Sequence, residues 1–150
     1  MRLKYLGLNH VLLRVSDMSK ARAFYIDVLG FQPIQQNEQR FLANVHGSLI
    51  GIVAADARMP PGDTFSPYRI GLDHLALGVP NRKALETLKA ALDGAGVRHN
   101  GIERDPEAKA DYISFYDPDG IAWEFYVMPL PIRLILGLSG LLGFKLPMQG

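Results

Sequence analysis

The chain has 150 residues, 48% hydrophobic and 21% charged, which is the length and composition of one globular domain able to bury a real core. A formal net charge of +1 with no basic block excludes the electrostatic footprint of a nucleic-acid binder. The lack of cysteine excludes thiolate metal sites, disulfides and cysteine nucleophiles, and the opening MRLKYLGLNHV carries no apolar signal core, so a cytoplasmic location is expected.

In chain order, GLNHVLLRV (7–15) reads as a half-buried strand. SDMSKARAFYIDVLG (16–30) then reads as a helix, with Ser16 or Asp17 as its cap, Met18, Ala21, Phe24, Tyr25 and Val28 at helical spacing, and Gly30 closing it. Three strand-like runs follow, FQPIQQNE, RFLANVH and SLIGIVAA, the latter two turning at His46-Gly47. DARMPPGDTFSPYRIG (56–71) is a linker by its Pro and Gly content. GLDHLALGV (71–79) then repeats the first strand with five of nine residues identical. PNRKALETLKAALDGAGV (80–97) repeats the helix, capped by Asn81 and striped by Leu85, Leu88 and Leu92. VRHNGIE, DYISFY and IAWEFYV complete the second set, the last two turning at Asp117-Pro118-Asp119-Gly120, while IERDPEAKAD (102–111) alternates in charge like a solvated loop.

Matched elements at a period of about 64 residues are an internal duplication. The expected fold is α+β, two tandem βαβββ modules at about 5–55 and 71–128 forming an open barrel or cup within one domain, 1–128. Residues 129–150 are expected to be an apolar arm. Its uncharged run, Leu134 to Phe144, is too short to span a bilayer and is interrupted by Gly137, Gly140 and Gly143. Such a stretch fits packing on its own or a partner subunit better than a membrane contact.

Strand alternation assigns the chemistry. His10, Leu12 and Arg14 share one face of the first strand, and Val11, Leu13 and Val15 the helix-facing other. His74, Ala76 and Gly78 fall on the corresponding face of the repeat. In IAWEFYV the bulky Ile121, Trp123 and Phe125 belong to the core, which puts Glu124 on the histidines' side. A glutamate in so apolar a strand is costly unless paired or metal-bound. Counted from the turn glycines, its counterpart in the first module is Gly51. Two imidazoles and a carboxylate converging on a cup make a facial triad with open positions, suited to one divalent metal: Fe(II), Mn(II), Zn(II) or Ni(II). By parity Tyr112, Ser114, Tyr116, Ala122 and Tyr126 line the same cup. Ser114, Leu12 and Arg14 are candidates for substrate contact, and Glu124, Tyr112, Tyr116 and Tyr126 for catalysis, with ordinary aromatic packing the alternative for each tyrosine and an exposed edge position the alternative for Arg14. His46 and His99 read as structural or solvent-exposed.

The runs LNHVLLRVSDMSKARAFYIDVLGF, GLDHLALGV and YDPDGIAWEF, with FY-x-x-x-LGF and DPDG-x-x-x-E in order, resemble the vicinal oxygen chelate superfamily. That superfamily holds glyoxalase I, extradiol dioxygenases, fosfomycin-modifying enzymes and bleomycin-binding proteins. The resemblance covers about residues 5–128. It implies paired βαβββ modules around a divalent metal, with His10, His74 and Glu124 as ligands, and a homodimer. It also marks departures. Gly51 stands where glyoxalase I-like enzymes place a fourth ligand, although Arg14 matches an arginine they use on anionic substrates. Ser114 stands where extradiol dioxygenases keep a tyrosine, and Leu12 where fosfomycin-modifying enzymes keep a threonine. The expected function is therefore a metal-dependent lyase, isomerase or dioxygenase on a small oxygenated substrate. A non-catalytic, bleomycin-resistance-like binder and a fosfomycin-type thiol transferase are the alternatives.

Overall fold

The first strand, β1 (His10–Arg14), ends where Asp17 takes an extended conformation and accepts hydrogen bonds from the amides of Ser19 and Lys20. This is the N-cap that lets the chain turn into a helix. The same two bonds hold the Asp17 carboxyl below its ordinary range. Helix α1 (Met18–Arg22) continues as a π-helix, Ala23–Val28, with the Leu29 amide bonded to the Phe24 carbonyl. In the wider π turn two consecutive residues, Phe24 and Tyr25, are both buried. Gly30 ends it at φ +72°, a left-handed conformation suited to glycine.

Three strands follow: β2 (Pro33–Asn37), β3 (Arg40–Val45) and β4 (Ser48–Val53). The second module gives β5 (Leu75–Val79), α2 (Arg82–Gly94, capped by Asn81), β6 (Glu103–Asp105), β7 (Ala110–Tyr116) and β8 (Ala122–Val127). These elements come from a computed structural model that describes residues 7–46, 48–131 and 134. Gly47 and most of the arm expected at 129–150 lie outside the described residues. Among those that are described, no helix is long and apolar enough to cross a membrane.

The strands form two mixed four-stranded sheets, ordered β1-β4-β3-β2 and β5-β8-β7-β6. In each, the first strand pairs in parallel with the last, and the remaining pairs are antiparallel. The repeated order makes the fold α+β with two βαβββ units and no closed barrel, an open cup. One element moves: the sixth strand lies at Glu103–Asp105, inside the stretch read as a loop, and of VRHNGIE only its last residue, Glu103, belongs to it, with His99 making an isolated bridge to Phe115. Charge explains it. Arg104 on β6 bonds Asp111, which also takes Arg82, so the alternating charges form ion pairs across a short hairpin.

The core faces hold Leu13, Phe41, Ile50 and Ile52 from the first sheet and Ile113, Phe115 and Trp123 from the second. Tyr25, from the π turn, joins them. Its ring lies 6.4 Å from Phe41 and 5.8 Å from Trp123, edge-on to both. Its hydroxyl donates to Asp117 Oδ2 at 2.7 Å and accepts from Trp123 Nε1 at 3.2 Å. Asp117 also accepts from the amides of Asp119 and Ile121, so a buried carboxylate is fully satisfied at the mouth of the Asp-Pro-Asp-Gly turn. Burial pushes the carboxyl of Asp117 up, and the Tyr25 bond pulls it back.

A raised folded-state value means that ionising Asp117 opposes folding as pH rises through it, and the Tyr25 hydroxyl offsets part of that cost. Tyr25→Phe should therefore lose about 1–3 kcal/mol at pH 7, the penalty for a buried acceptor without its donor. The loss should be smaller in acid, below the raised Asp117 value, where the carboxyl is protonated. Urea unfolding at both pH values measures it, and an equal loss at both would contradict the assignment.

Candidate functional site

On the open faces the strand registers set out equivalent rows. In the first sheet Leu12 lies beside Gly51, which lies beside Leu42; in the second Ala76 lies beside Glu124, which lies beside Ser114. Glu124 and Gly51 are thus structural counterparts. A Cβ built on Gly51 would run into the Leu12 side chain, so the first sheet fills with a leucine the space beside its missing carboxylate.

His74 sits just before β5. Its Nε2 is 3.3 Å from Glu124 Oε2, and the Glu124 side chain is 19% exposed on the open face. The Nδ1 of His74 meets Asp73 Oδ1 at 2.5 Å, and the Nδ1 of His10 meets Asn9 Oδ1 at 2.7 Å. In both copies the residue preceding the histidine accepts from Nδ1–H. That choice of tautomer leaves the lone pair of each Nε2 for a ligand, as second-shell carboxylates and amides do around metal-bound imidazoles. The donor set of two such imidazoles and one carboxylate fits a divalent metal. Asn9 and Asp73 were not singled out from the sequence, although the signal is there: N-H and D-H recur at matched positions.

The structure brings His74, Glu124, Ser114 and Tyr116 together around one cavity of about 200 Å³, with Tyr68 from the linker. His10 is not among them. It lines a separate cavity of about 220 Å³ on the first sheet with Leu12, Arg40 and Leu49. Among the described residues of one chain, no three histidine, aspartate or glutamate side chains gather to hold a metal. The two modules pack through their aromatic core faces, Phe24 against Phe115 and Tyr25 against Trp123, and this leaves the histidines on different open faces.

Arg14 is exposed and lines a larger cleft of about 670 Å³, where its Nη1 donates to the Ala54 carbonyl at 2.6 Å. Leu12, 56% exposed, lines both that cleft and the His10 cavity. Tyr112 and Tyr126 stack with centroids 4.9 Å apart and planes at 10°. The Tyr126 hydroxyl donates to Asp105 Oδ2 at 3.0 Å. Partial burial and that bond push Tyr126 well above the usual phenol range, and a bond to Glu103 pushes Tyr112 up. Both phenols therefore stay protonated and are already committed as donors to carboxylates, which leaves Tyr116, with its ring half exposed, and Tyr68 of the linker as the tyrosines that share the His74 cavity. His99 is structural. Its Nε2 pairs with Asp93 at 2.9 Å and its Nδ1 accepts from the Gly101 amide. His46 is exposed in a left-handed turn at φ 48°.

Residues 7–125 match the model of the Glyoxalase/Bleomycin resistance protein/Dioxygenase superfamily. The chain is 32% identical to the uncharacterized protein YwkD of Bacillus subtilis over 125 residues, 80% of this chain and 95% of that protein. It is 27% identical to the metallothiol transferase FosB of Lysinibacillus sphaericus over 85% of this chain and 86% of that one. Among solved structures, a glyoxylase/bleomycin resistance protein/dioxygenase domain from Frankia sp. superposes with a TM-score of 0.70 at 26% identity, covering 82% of this chain and 98% of that domain.

Proposed function

Because the chain belongs to the glyoxalase, bleomycin resistance protein and dioxygenase superfamily, we propose that it is a metal-dependent enzyme acting on a small oxygenated organic molecule. In this reading His74 and Glu124 of one copy hold a divalent metal together with His10 of a second copy, in a cytoplasmic homodimer. The observation that carries it is the pairing of His74 Nε2 with Glu124 at 3.3 Å, backed by a side-chain acceptor on Nδ1 of both histidines. The charges of the two sheets favour the second copy. The open face of the first sheet carries Arg14 and Arg40 and no acid from its strands, while that of the second carries Glu103, Asp105 and Glu124. Open faces of opposite sign in two copies are complementary.

Bound there, a divalent cation would take two neighbouring substrate oxygens and stabilise the oxyanion that develops on them. Asp73 and Asn9 hold the imidazoles in the ligating tautomer, and Glu124 supplies the negative charge. Ser114 lies beside Glu124 in the register, placed to orient a substrate oxygen. Tyr116 stands nearby as a proton donor.

The test is metal content in a mixture of two dead variants. His10→Ala and Glu124→Gln should each lack metal. Mixed at equal amounts after unfolding and refolding together, half the dimers carry one of each, and one of their two sites is intact, so metal binding should return to about a quarter of the natural level. Metal retained by His10→Ala alone would overturn the shared site. Absence of stoichiometric metal in the natural protein would overturn the enzyme reading in favour of a metal-free binder.

A further inference from the structure

The cleft of about 670 Å³ is separate from the His74 cavity and meets the His10 cavity only at Leu12. Its three sides are the end of β1 with Ser16, the linker from Asp63 to Leu72, and Pro118–Ile121 on the way into β8. Asp119 takes the Ser16 amide on both carboxylate oxygens, at 3.1 and 3.2 Å, which ties the turn to the strand end. The rim is apolar where it meets solvent: Leu12 and Leu72 are exposed, and Ile70 fully so. Large apolar side chains gathered around one opening mark a surface that something covers.

Charge says what kind of segment fits. Arg14 and Arg69 stand against Asp63 and Asp119, so the charges of the lining cancel. Arg69 pairs with Asp63 at 3.8 Å, and Arg14 donates to the Ala54 carbonyl. An uncharged apolar occupant gives up little there, whereas an ion of either sign meets charges that already have partners.

The chain itself carries such a segment. It lies beyond residues 7–125, the span of the family match, and its run from Leu134 to Phe144 has no charge. After Glu124 the sequence has no acidic side chain, and its two cations, Arg133 and Lys145, bracket that run. Leu130 and Leu134 are helical and four residues apart, hence on one side of the helix, and both are exposed. The reach is sufficient. Ile121 lines the cleft and β8 leads six residues away from it, so the chain leaves the sheet about 20 Å from the cleft. Residues 135–150 can cover about 24 Å as a helix and about 50 Å extended.

We propose that the C-terminal arm folds back along its own chain and seats the run from Leu134 to Phe144 in this cleft, over Leu12, Ile70 and Leu72. The cleft is then an intramolecular docking surface for the chain's own apolar end. Leu12 also walls the His10 cavity, so the seated arm and the candidate site share a side chain. None of this depends on a bound metal.

Amide hydrogen exchange of the full chain tests the docking from both sides. Leu138→Asp with Leu142→Asp should speed exchange across residues 64–72 at least about tenfold, with the β3 and β4 amides unchanged as proof of an intact fold. Conversely, Ile70→Asp with Leu72→Asp should speed exchange across residues 135–144. Unchanged rates at 64–72 in a folded arm variant would overturn the proposal. The chain has no cysteine, so Leu142→Cys offers a single attachment point for a benzophenone, and light then joins the arm to whatever it touches. The joined peptides should come from the three sides of the cleft, in a product of monomer mass. Attachment elsewhere, or a joined dimer that places the arm on a second copy, would overturn it as well.

Discussion

Trp123→Ala should destabilise the protein by about 3–5 kcal/mol, the cost of emptying a buried indole site. Trp123 is fully buried, and its ring lies 5.8 Å from Tyr25 and 5.9 Å from Phe31, both contributed by the first module. Its Nε1–H donates to the Tyr25 hydroxyl, so the substitution removes a polar tie as well as volume. At about 2–4 °C per kcal/mol for a chain of this length, the melting midpoint should fall by about 6–20 °C. Circular dichroism against temperature measures it. A loss under about 1 kcal/mol would mean that the site collapses around the gap and that the modules are joined elsewhere. Phe125→Ala is the natural control, because it thins the core of one sheet without touching Tyr25 or Phe31.

Glu124→Gln should have the opposite profile: no appreciable change in stability and near-complete loss of metal. Glu124 projects from the open face with its carboxylate 3.3 Å from His74 Nε2, and polar changes outside the core usually shift stability by no more than about 0.5 kcal/mol. The amide keeps the shape and removes the anionic donor. The loss of metal affinity should exceed the 10–100-fold that follows removal of a second-shell partner, because a direct ligand is lost. Metal analysis after dialysis, with a melting curve on the same sample, separates the two effects. Retention of metal by a folded Glu124→Gln would remove Glu124 from the ligand set.

Much of this was legible in the sequence, and for physical reasons. Period-two alternation does not depend on how modules pack, so the side of each strand on which His10, Arg14, Glu124 and Tyr126 emerge follows from the residues alone. Counting from turn glycines paired Glu124 with Gly51, and the hydrogen-bonded registers carry the same pairing through Leu12 and Ala76. The relative placement of the modules was not legible. Phe24, Tyr25 and Phe31 read as an ordinary helix stripe and its exit, and nothing in their spacing says that they pack against the neighbouring module as well as their own. The position of β6 was hidden because its residues are charged. The β6–β7 ladder, the bond of Arg104 to Asp111 across it and the bond of Arg82 from α2 to the same carboxylate make IERDPEAKAD structured. Asn9 and Asp73 went unnoticed because a polar residue before a strand is common, and its meaning appears only when Nδ1 is seen to face it.

The contact between Leu12 and position 51 ties two sites into one unit of variation. Any side chain at 51 must first move Leu12, whose tip occupies that space, and also presses on Leu42. The effect of a carboxylate introduced there therefore depends on what stands at position 12: Gly51→Glu alone meets a leucine, whereas Gly51→Glu with Leu12→Ala meets room. The two changes should be strongly non-additive. A fourth donor is thus separated from this chain by a pair of substitutions, and the loss of symmetry between the two halves is held in place by the packing of one leucine.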